Sequence, residues 1–199
     1  NFMKYSMMDF MTIDNNFFSK RRSVTAKKMV SGKVPDSDIQ QILAAGIRVP
    51  DHGALNPWKL IVIKGDSLVR IDNEIILSEF KKENPDADKN KLRIESSRLQ
   101  RASAVIAVLS TPLDHPTITK WEMQLSSAAV CMNLLNCTQS MGYAAQWITE
   151  WYAYNKKMLT ELGGRVGIDK ISGFIYIGTK DEEPSERRRP DPDKVISYI

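Results

Sequence analysis

The stretch that decides the fold reads Arg48-Val49-Pro50-Asp51-His52-Gly53-Ala54-Leu55-Asn56-Pro57-Trp58. Upstream, Pro35-Asp36-Ser37-Asp38 suits the first turn of a helix, and Ile39, Ile42, Leu43 and Gly46 keep the i, i+3, i+4, i+7 spacing of one buried face. A residue before proline avoids helical backbone, so the helix is expected to stop near Val49. Downstream, the run Leu60-Ile61-Val62-Ile63, closed by Lys64-Gly65, predicts a short buried strand. The connector between them carries two prolines, a glycine, an arginine and one of the two histidines. That composition reads as a ligand-facing loop. The alternative is a plain helix-to-strand link with Trp58 buried.

Working outward, residues 1–13 are apolar without a firm period, and Asp14 can cap a short helix through Phe17, Phe18 and Lys20. Residues 24–34 read as a loop. Asp66 or Ser67 is expected to cap a helix carrying Leu68, Ile71, Ile75 and Ile76. Residues 81–101 hold most of the charge runs and predict a solvated, helical or loose excursion. Residues 104–109 (Ala-Val-Ile-Ala-Val-Leu) form a second buried strand. A long helix follows near residues 121–141. Its small residues at 126–129 allow close approach of another backbone, and Gly142 is its left-handed cap. Strands are expected over residues 143–148 and 172–178, with Asn155 capping a short helix between them. The mixture lacks strict βαβ alternation, so the fold class is α+β. There is no internal repeat and no linker, which predicts one domain over residues 1–199.

The chain has 199 residues, 42% of them hydrophobic, enough for one real core. The net charge of +4 is dispersed and does not argue for nucleic acid. Cys131 and Cys137 sit six apart on one helix, roughly 600° of turn, so they face different sides and do not pair. Two cysteines and two distant histidines give no zinc spacing. The opening stretch lacks the apolar run and cleavage site of a signal peptide. The long helix is interrupted by Glu122, Gln124, Asn133, Asn136 and Gln139, so it belongs to a core and not to a membrane. The expectation is a soluble, cytoplasmic protein.

Arg21 and Ser23 offer a guanidinium fork and a hydroxyl two residues apart, with Arg22 between them. That pair can grip a phosphate; an Arg-Arg-Ser triplet can equally be a solvated face. The C-terminal segment 180–194 carries Arg187, Arg188 and Arg189, with five basic and six acidic residues in all. Such balance argues against a polyanion-binding patch and for a grip on one anion. Its apolar end, residues 195–199, suggests a segment that pairs elsewhere, on a second subunit.

The order Arg-Arg-Ser, a capped helix, then Pro-Asp-His-x-x-x-Asn-Pro-Trp leading into an Ile/Val strand resembles the FMN-dependent nitroreductase family, in its compact YdjA-type branch. The resemblance runs from about Phe17 to the C-terminus and includes residues 142–149, residues 173–178 and the Arg-Pro-Asp-Pro tail. It implies a central, mostly antiparallel sheet flanked by helices, preceded by an N-terminal extension over residues 1–16. It also implies that residues 180–199 form an arm exchanged across a homodimer. Further implications are FMN as cofactor, NADH or NADPH as co-substrate, and reduction of nitroaromatic, quinone-like or related acceptors by a ping-pong cycle. By the same resemblance Arg21, Arg22 and Ser23 stand at phosphate-gripping positions, and Arg188 near the basic residue that closes over the phosphate. Arg48 and His52 stand at flavin-contacting positions, and Trp147, Ile148 and Thr149 line the isoalloxazine. Residues 137–142 match a nicotinamide-nucleotide segment, or are simply the last turn of a core helix.

The chain departs from many relatives at Asp51, Ala54 and Asn56, and at Thr25, where they carry Lys or Arg near flavin N1 and O2. Arg48 is the candidate to supply that charge, which makes it the expected catalytic residue. His52 is expected to position the ring, with a general-acid role as the alternative. No metal is expected. Two other readings stay open: a same-fold flavoprotein that dehalogenates or breaks down flavin, and a non-redox nucleotide-binding module.

Overall fold

The computed structural model describes residues 15–30 and 32–199, so the expectations for residues 1–13 and for Asp14 as a cap lie outside the described residues. Four strands form one antiparallel sheet: β1 (Trp58–Lys64), β2 (Ala104–Ser110), β3 (Ala144–Ile148) and β4 (Lys170–Gly178). Their order is β1-β2-β4-β3. Ala107 sits opposite both Ile61 and Phe174, and Trp147 opposite Ile175. The helices are α1 (Asn15–Lys20), α2 (Asp36–Gly46), α3 (Asp66–Ile71), α4 (Ser78–Glu83), α5 (Lys89–Glu95), α6 (Lys120–Ser140), α7 (Lys156–Glu161) and α8 (Pro192–Val195).

Side chains alternate across a strand, so a strand apolar at every position must be covered on both faces. β2 is, and all seven of its residues are buried. Ala104, Ile106 and Val108 face one side with Ile175 and Ile177 of β4; there they meet Ile39 and Ile42 of α2 and Val130, Cys131 and Leu134 of α6. Val105, Ala107 and Leu109 face the other side with Phe174 and Tyr176. They pack under Leu68, Ile71, Ile75 and Ile76 and under Met158 and Leu159 of α7. The domain is therefore three layers, helix–sheet–helix, with β2 and β4 innermost and β1 and β3 at the edges.

α2 crosses α6 closely because Gly46 has no side chain: a Cβ there would lie 2.4 Å from Leu134 Cδ2. α2 ends at Gly46, a little before the expected Val49. α6 opens with a capping box in which Thr119 Oγ1 accepts from the Glu122 amide (3.3 Å) and Glu122 Oε1 accepts from the Thr119 amide (3.1 Å). It closes at Gly142, which takes the expected left-handed conformation with φ 85°. At its middle Ser127 Oγ lies 2.7 Å from Ser172 Oγ of β4. Cys131 is fully buried and Cys137 half-buried, and both are free. Burial pushes the Cys131 thiol up to about 12.

Two expectations are corrected. The helix after β1 starts from Gly65 without a side-chain cap from Asp66 or Ser67. It also runs on from α3 through a π-helical segment, Asp72–Leu77, into α4. Residues 81–94 are solvated as expected, but residues 95–101 are drawn toward the core. The fully buried Asp72 carboxylate accepts from the amides of Leu99 (2.8 Å) and Gln100 (3.1 Å) and from Gln100 Nε2 (2.9 Å), pinning that segment to the core. Beside it, Arg98 pairs with buried Glu95 and with Glu150, while Trp151 Nε1 donates to Glu95. A buried charge needs such partners, and those partners order the charge-rich stretch.

Candidate functional site

The site grows from the edge strand β3. The chain after α1 runs alongside it. The Val24 amide donates to the Ala145 carbonyl (3.1 Å), and the Ala26 amide to Gln146 Oε1 (2.6 Å). Gln139, in the last turn of α6, ties this segment down: its Nε2 donates to the Arg22 carbonyl and to the Ala145 carbonyl (3.4 Å), and its Oε1 accepts from Arg21 Nη1 (3.4 Å). The expected phosphate-gripping triplet is thus fixed by a glutamine read from sequence only as an interruption of an apolar helix.

The C-terminal segment returns to the same place. Thr179 and Val30 bridge through backbone (Val30 N to Thr179 O, 3.0 Å), and Thr179 Oγ1 donates to the Val30 carbonyl. Ten residues on, Arg189 Nη2 donates to the Arg21 carbonyl (3.4 Å). Among the tail arginines it is Arg189 that meets the triplet; Arg188 makes no hydrogen bond or ion pair among the described residues. Three guanidiniums now crowd together. Burial, then the charges of Arg189 and Arg22, hold Arg21 below its ordinary value; desolvation and Arg189 do the same to Arg22. A single carboxylate stands among them, Glu186, which pairs with Arg22 and with Arg189 (3.0 Å). Three positive charges against one negative leave a surplus that suits a doubly charged anion. Beside the cluster lies a cavity of about 670 Å³, lined by Ser23, Thr25, Lys27, Gln146, Glu182 and Arg187. Its size fits a ligand with a sizeable body, and Ser23, which lines it, ties it to the arginine triplet.

The Arg48–Trp58 loop lies elsewhere on α6. Trp58 Nε1 donates to Ser126 Oγ (3.2 Å), which in turn donates to the Pro50 carbonyl (2.8 Å). Asp51 Oδ2 accepts from the Asn56 amide (2.7 Å). Gly53, Ala54 and Asn56 all have positive φ, and for the last two this is a strained backbone, of the kind found at ligand clamps. Asn133 Nδ2 donates to the Arg48 carbonyl (2.8 Å); the Arg48 guanidinium is exposed and has no partner among the described residues. His52 Nδ1 lies 2.9 Å from Glu122 Oε2, and both side chains are exposed. The His52 hydrogen bond is the leading cause that holds Glu122 below the ordinary carboxylate range. Glu122 and Gln139 are seventeen residues apart, roughly 25 Å along the helix at 1.5 Å per residue. Within one chain the His52 end and the Arg21 end are too far apart for one mononucleotide.

β3 divides its residues between faces. Trp147 lies over Gly173 on the α6 side, its Nε1 donating to the Ser172 carbonyl (3.0 Å). Ile148 packs on the opposite face and Thr149 is exposed. Residues 137–142 form the end of α6 and its glycine cap. No group of His, Cys, Asp and Glu able to hold a metal exists among the described residues. None of the described helices is long and apolar enough to cross a membrane.

An antiparallel sheet between two helical layers, with an arginine cluster beside its edge strand, defines an α+β protein. The sequence profile of the Nitroreductase family matches residues 18–179. The chain belongs to that family. It is 26% identical over 180 residues, 90% of this chain and 95% of the relative, to the Escherichia coli protein named "Putative NAD(P)H nitroreductase YdjA". The fold is similar to a nitroreductase-like family protein from Bacillus cereus, with a TM-score of 0.80 and 21% identity over 98% of this chain and 99% of that one. It is also similar to a Bacteroides fragilis nitroreductase with bound FMN, with a TM-score of 0.65 and 22% identity over 92% and 97% of the two chains.

Proposed function

We propose that this chain is an NAD(P)H-dependent FMN oxidoreductase that reduces nitroaromatic, quinone-like or related acceptors by a ping-pong cycle. The observation that carries this reading is the convergence of Arg21, Arg22 and Arg189 next to Ser23, which lines the neighbouring cavity. Family membership supports the same chemistry. FMN held there would supply the redox chemistry between nicotinamide and acceptor. The protein's own residues hold and tune it. The three guanidiniums and the Ser23 hydroxyl hold the phosphate, with Arg188 as a further cation of the tail. Arg48 supplies positive charge toward the ring edge where charge builds up, and His52, oriented by Glu122, positions the ring. Trp147, Ile148 and Thr149 offer the β3 edge to the same ring.

The separation of His52 from Arg21 supports a homodimer in which each flavin is held by both chains. Exposed apolar residues mark the surfaces it would cover: Trp121 and Leu125 on α6, Ile47 at the end of α2, and Val195, Ile196 and Tyr198 in the arm. A cytoplasmic setting fits a nicotinamide-dependent cycle. The experiment is an anaerobic absorption spectrum of the FMN-loaded protein. NADH or NADPH should bleach the flavin band, and a nitroaromatic or quinone should restore it, with parallel double-reciprocal plots. A band that neither nicotinamide bleaches refutes the reading.

A further inference from the structure

The segment between Thr179 and Arg189 is fastened at both ends. Its start is bridged to Val30, and its end donates to the Arg21 carbonyl. Between these anchors it lines the cavity together with Ser23, Thr25, Lys27 and Lys28. It contributes Asp181, Glu182, Glu183 and Arg187 to the lining, and residues 23–30 contribute Lys27 and Lys28. Lys180 takes Glu183 (2.7 Å), so that carboxylate is satisfied within the tail. Glu186 is used differently. One oxygen of its carboxylate meets Arg22 Nη2 and the other meets Arg189 Nη2. It therefore occupies donors on two of the three guanidiniums that define the anion site.

We propose that Glu186 is an internal anion that competes with the ligand phosphate for the Arg21–Arg22–Arg189 cluster, and so sets which anions the site accepts. The inference rests on the phosphate-binding reading above. A carboxylate tethered next to the cluster has a high effective concentration, so a weak monoanion from solution gains little by replacing it. A phosphomonoester dianion brings more charge and more acceptor oxygens than the carboxylate it displaces. The competitor lowers affinity for every anion and lowers it least for a dianion carried on a ligand with contacts of its own. Chain connectivity also gives the competition a direction: once released, Glu186 stays within a segment still anchored at Thr179.

The test compares wild type with Glu186→Gln, which keeps the shape and removes the charge, and with Asp193→Asn, which removes a tail carboxylate away from the cluster. Apoprotein is titrated with FMN and with riboflavin by fluorescence quenching, and with inorganic phosphate by thermal shift. Glu186→Gln should bind FMN about three- to thirtyfold more tightly, the range of one or two partly exposed ion pairs. Riboflavin, which lacks the phosphate, should bind it as it binds wild type, and Asp193→Asn should match wild type throughout. Inorganic phosphate should protect Glu186→Gln at lower concentration than wild type. FMN affinity that is unchanged or weaker in Glu186→Gln overturns the proposal, the weaker case making Glu186 a positioner of the arginines. An equal gain for riboflavin also overturns it, since that reports a wider cavity. If neither protein takes FMN, the flavin reading fails, and the phosphate titration alone decides whether Glu186 guards the anion site.

Discussion

Replacing Gly173 by alanine should be among the most damaging single-methyl changes in this chain. Gly173 lies on β4 where the Trp147 indole crosses from the neighbouring edge strand. A Cβ built at Gly173 would stand 2.0 Å from Trp147 Nε1 and 2.4 Å from Cδ1. Non-bonded heavy atoms settle near about 3.5–4.0 Å, so the ring must retreat by more than an ångström. It cannot do so and still donate to the Ser172 carbonyl 3.0 Å away. Overpacking costs about 1–3 kcal/mol, and the broken hydrogen bond adds about 1 kcal/mol. The total, about 2–4 kcal/mol, corresponds to a fall in Tm of roughly 5–15 °C for a domain of this size. Urea unfolding of Gly173→Ala, Trp147→Leu and the double variant measures it. The double variant should cost clearly less than the sum of the singles, because without the ring the new methyl has room. A loss below about 0.5 kcal/mol in Gly173→Ala, or strict additivity, would refute the packing described here.

Arg48→Met, which keeps the stem and removes the charge, should retain FMN but slow its reduction by NAD(P)H about tenfold to a thousandfold, as for loss of one charge-stabilising donor. Stopped-flow reduction at the wild-type rate would withdraw the role given to Arg48. Truncation after Lys180 removes Arg189 together with the apolar end, so the product should be a monomer, or poorly soluble, and unable to keep FMN; light scattering of a stable, FMN-loaded dimer would contradict this. Asp169 bears on acid stability. Burial raises its pKa, but Arg165, whose Nη2 lies 2.7 Å away, outweighs burial and holds the carboxyl below its ordinary value. A carboxyl that ionises at lower pH folded than unfolded adds stability fully present above the unfolded pKa, near about 3.9, and lost as pH falls through the folded one. Wild type should therefore lose stability on acidification below about pH 4. Asp169→Asn should be less stable at pH 7 and lose less over that window. Equal acid limbs by urea unfolding would contradict the assignment.

Much of the fold was legible in the sequence, for definite reasons. Residues 104–109 are apolar at every position, which fixes a strand covered on both faces, and Gly142 marked the end of the longest helix. The order β1-β2-β4-β3 was not legible from periodicity, because pairing depends on long-range contacts between similar apolar runs. Residues 95–101 looked solvated like the stretch before them because their charges were counted without partners. The signal that could have corrected this was Asp72, an acid set among Leu68, Ile71 and Ile75, which needs buried donors from somewhere. At the site, the Arg-Arg-Ser triplet was visible. Its tail partner was not, since three adjacent arginines do not reveal which one reaches back to Arg21, and in the structure it is Arg189. Gln139 escaped notice for a similar reason. A polar residue late in an apolar helix reads as an interruption until the strand and loop beside it show what it bonds. Gln146 is a parallel case on β3.

The most direct test of the account is an FMN titration of wild type against Arg21→Ala, with riboflavin as the ligand that lacks a phosphate. Wild type should bind about one FMN per chain. Arg21→Ala removes a charge-assisted contact worth about 1.5–3 kcal/mol, so its affinity for FMN should fall about tenfold or more while its affinity for riboflavin stays the same. A wild-type protein that remains colourless in excess FMN, or an Arg21→Ala variant that binds FMN as tightly as wild type, would contradict the central claim that this arginine cluster is a flavin phosphate site.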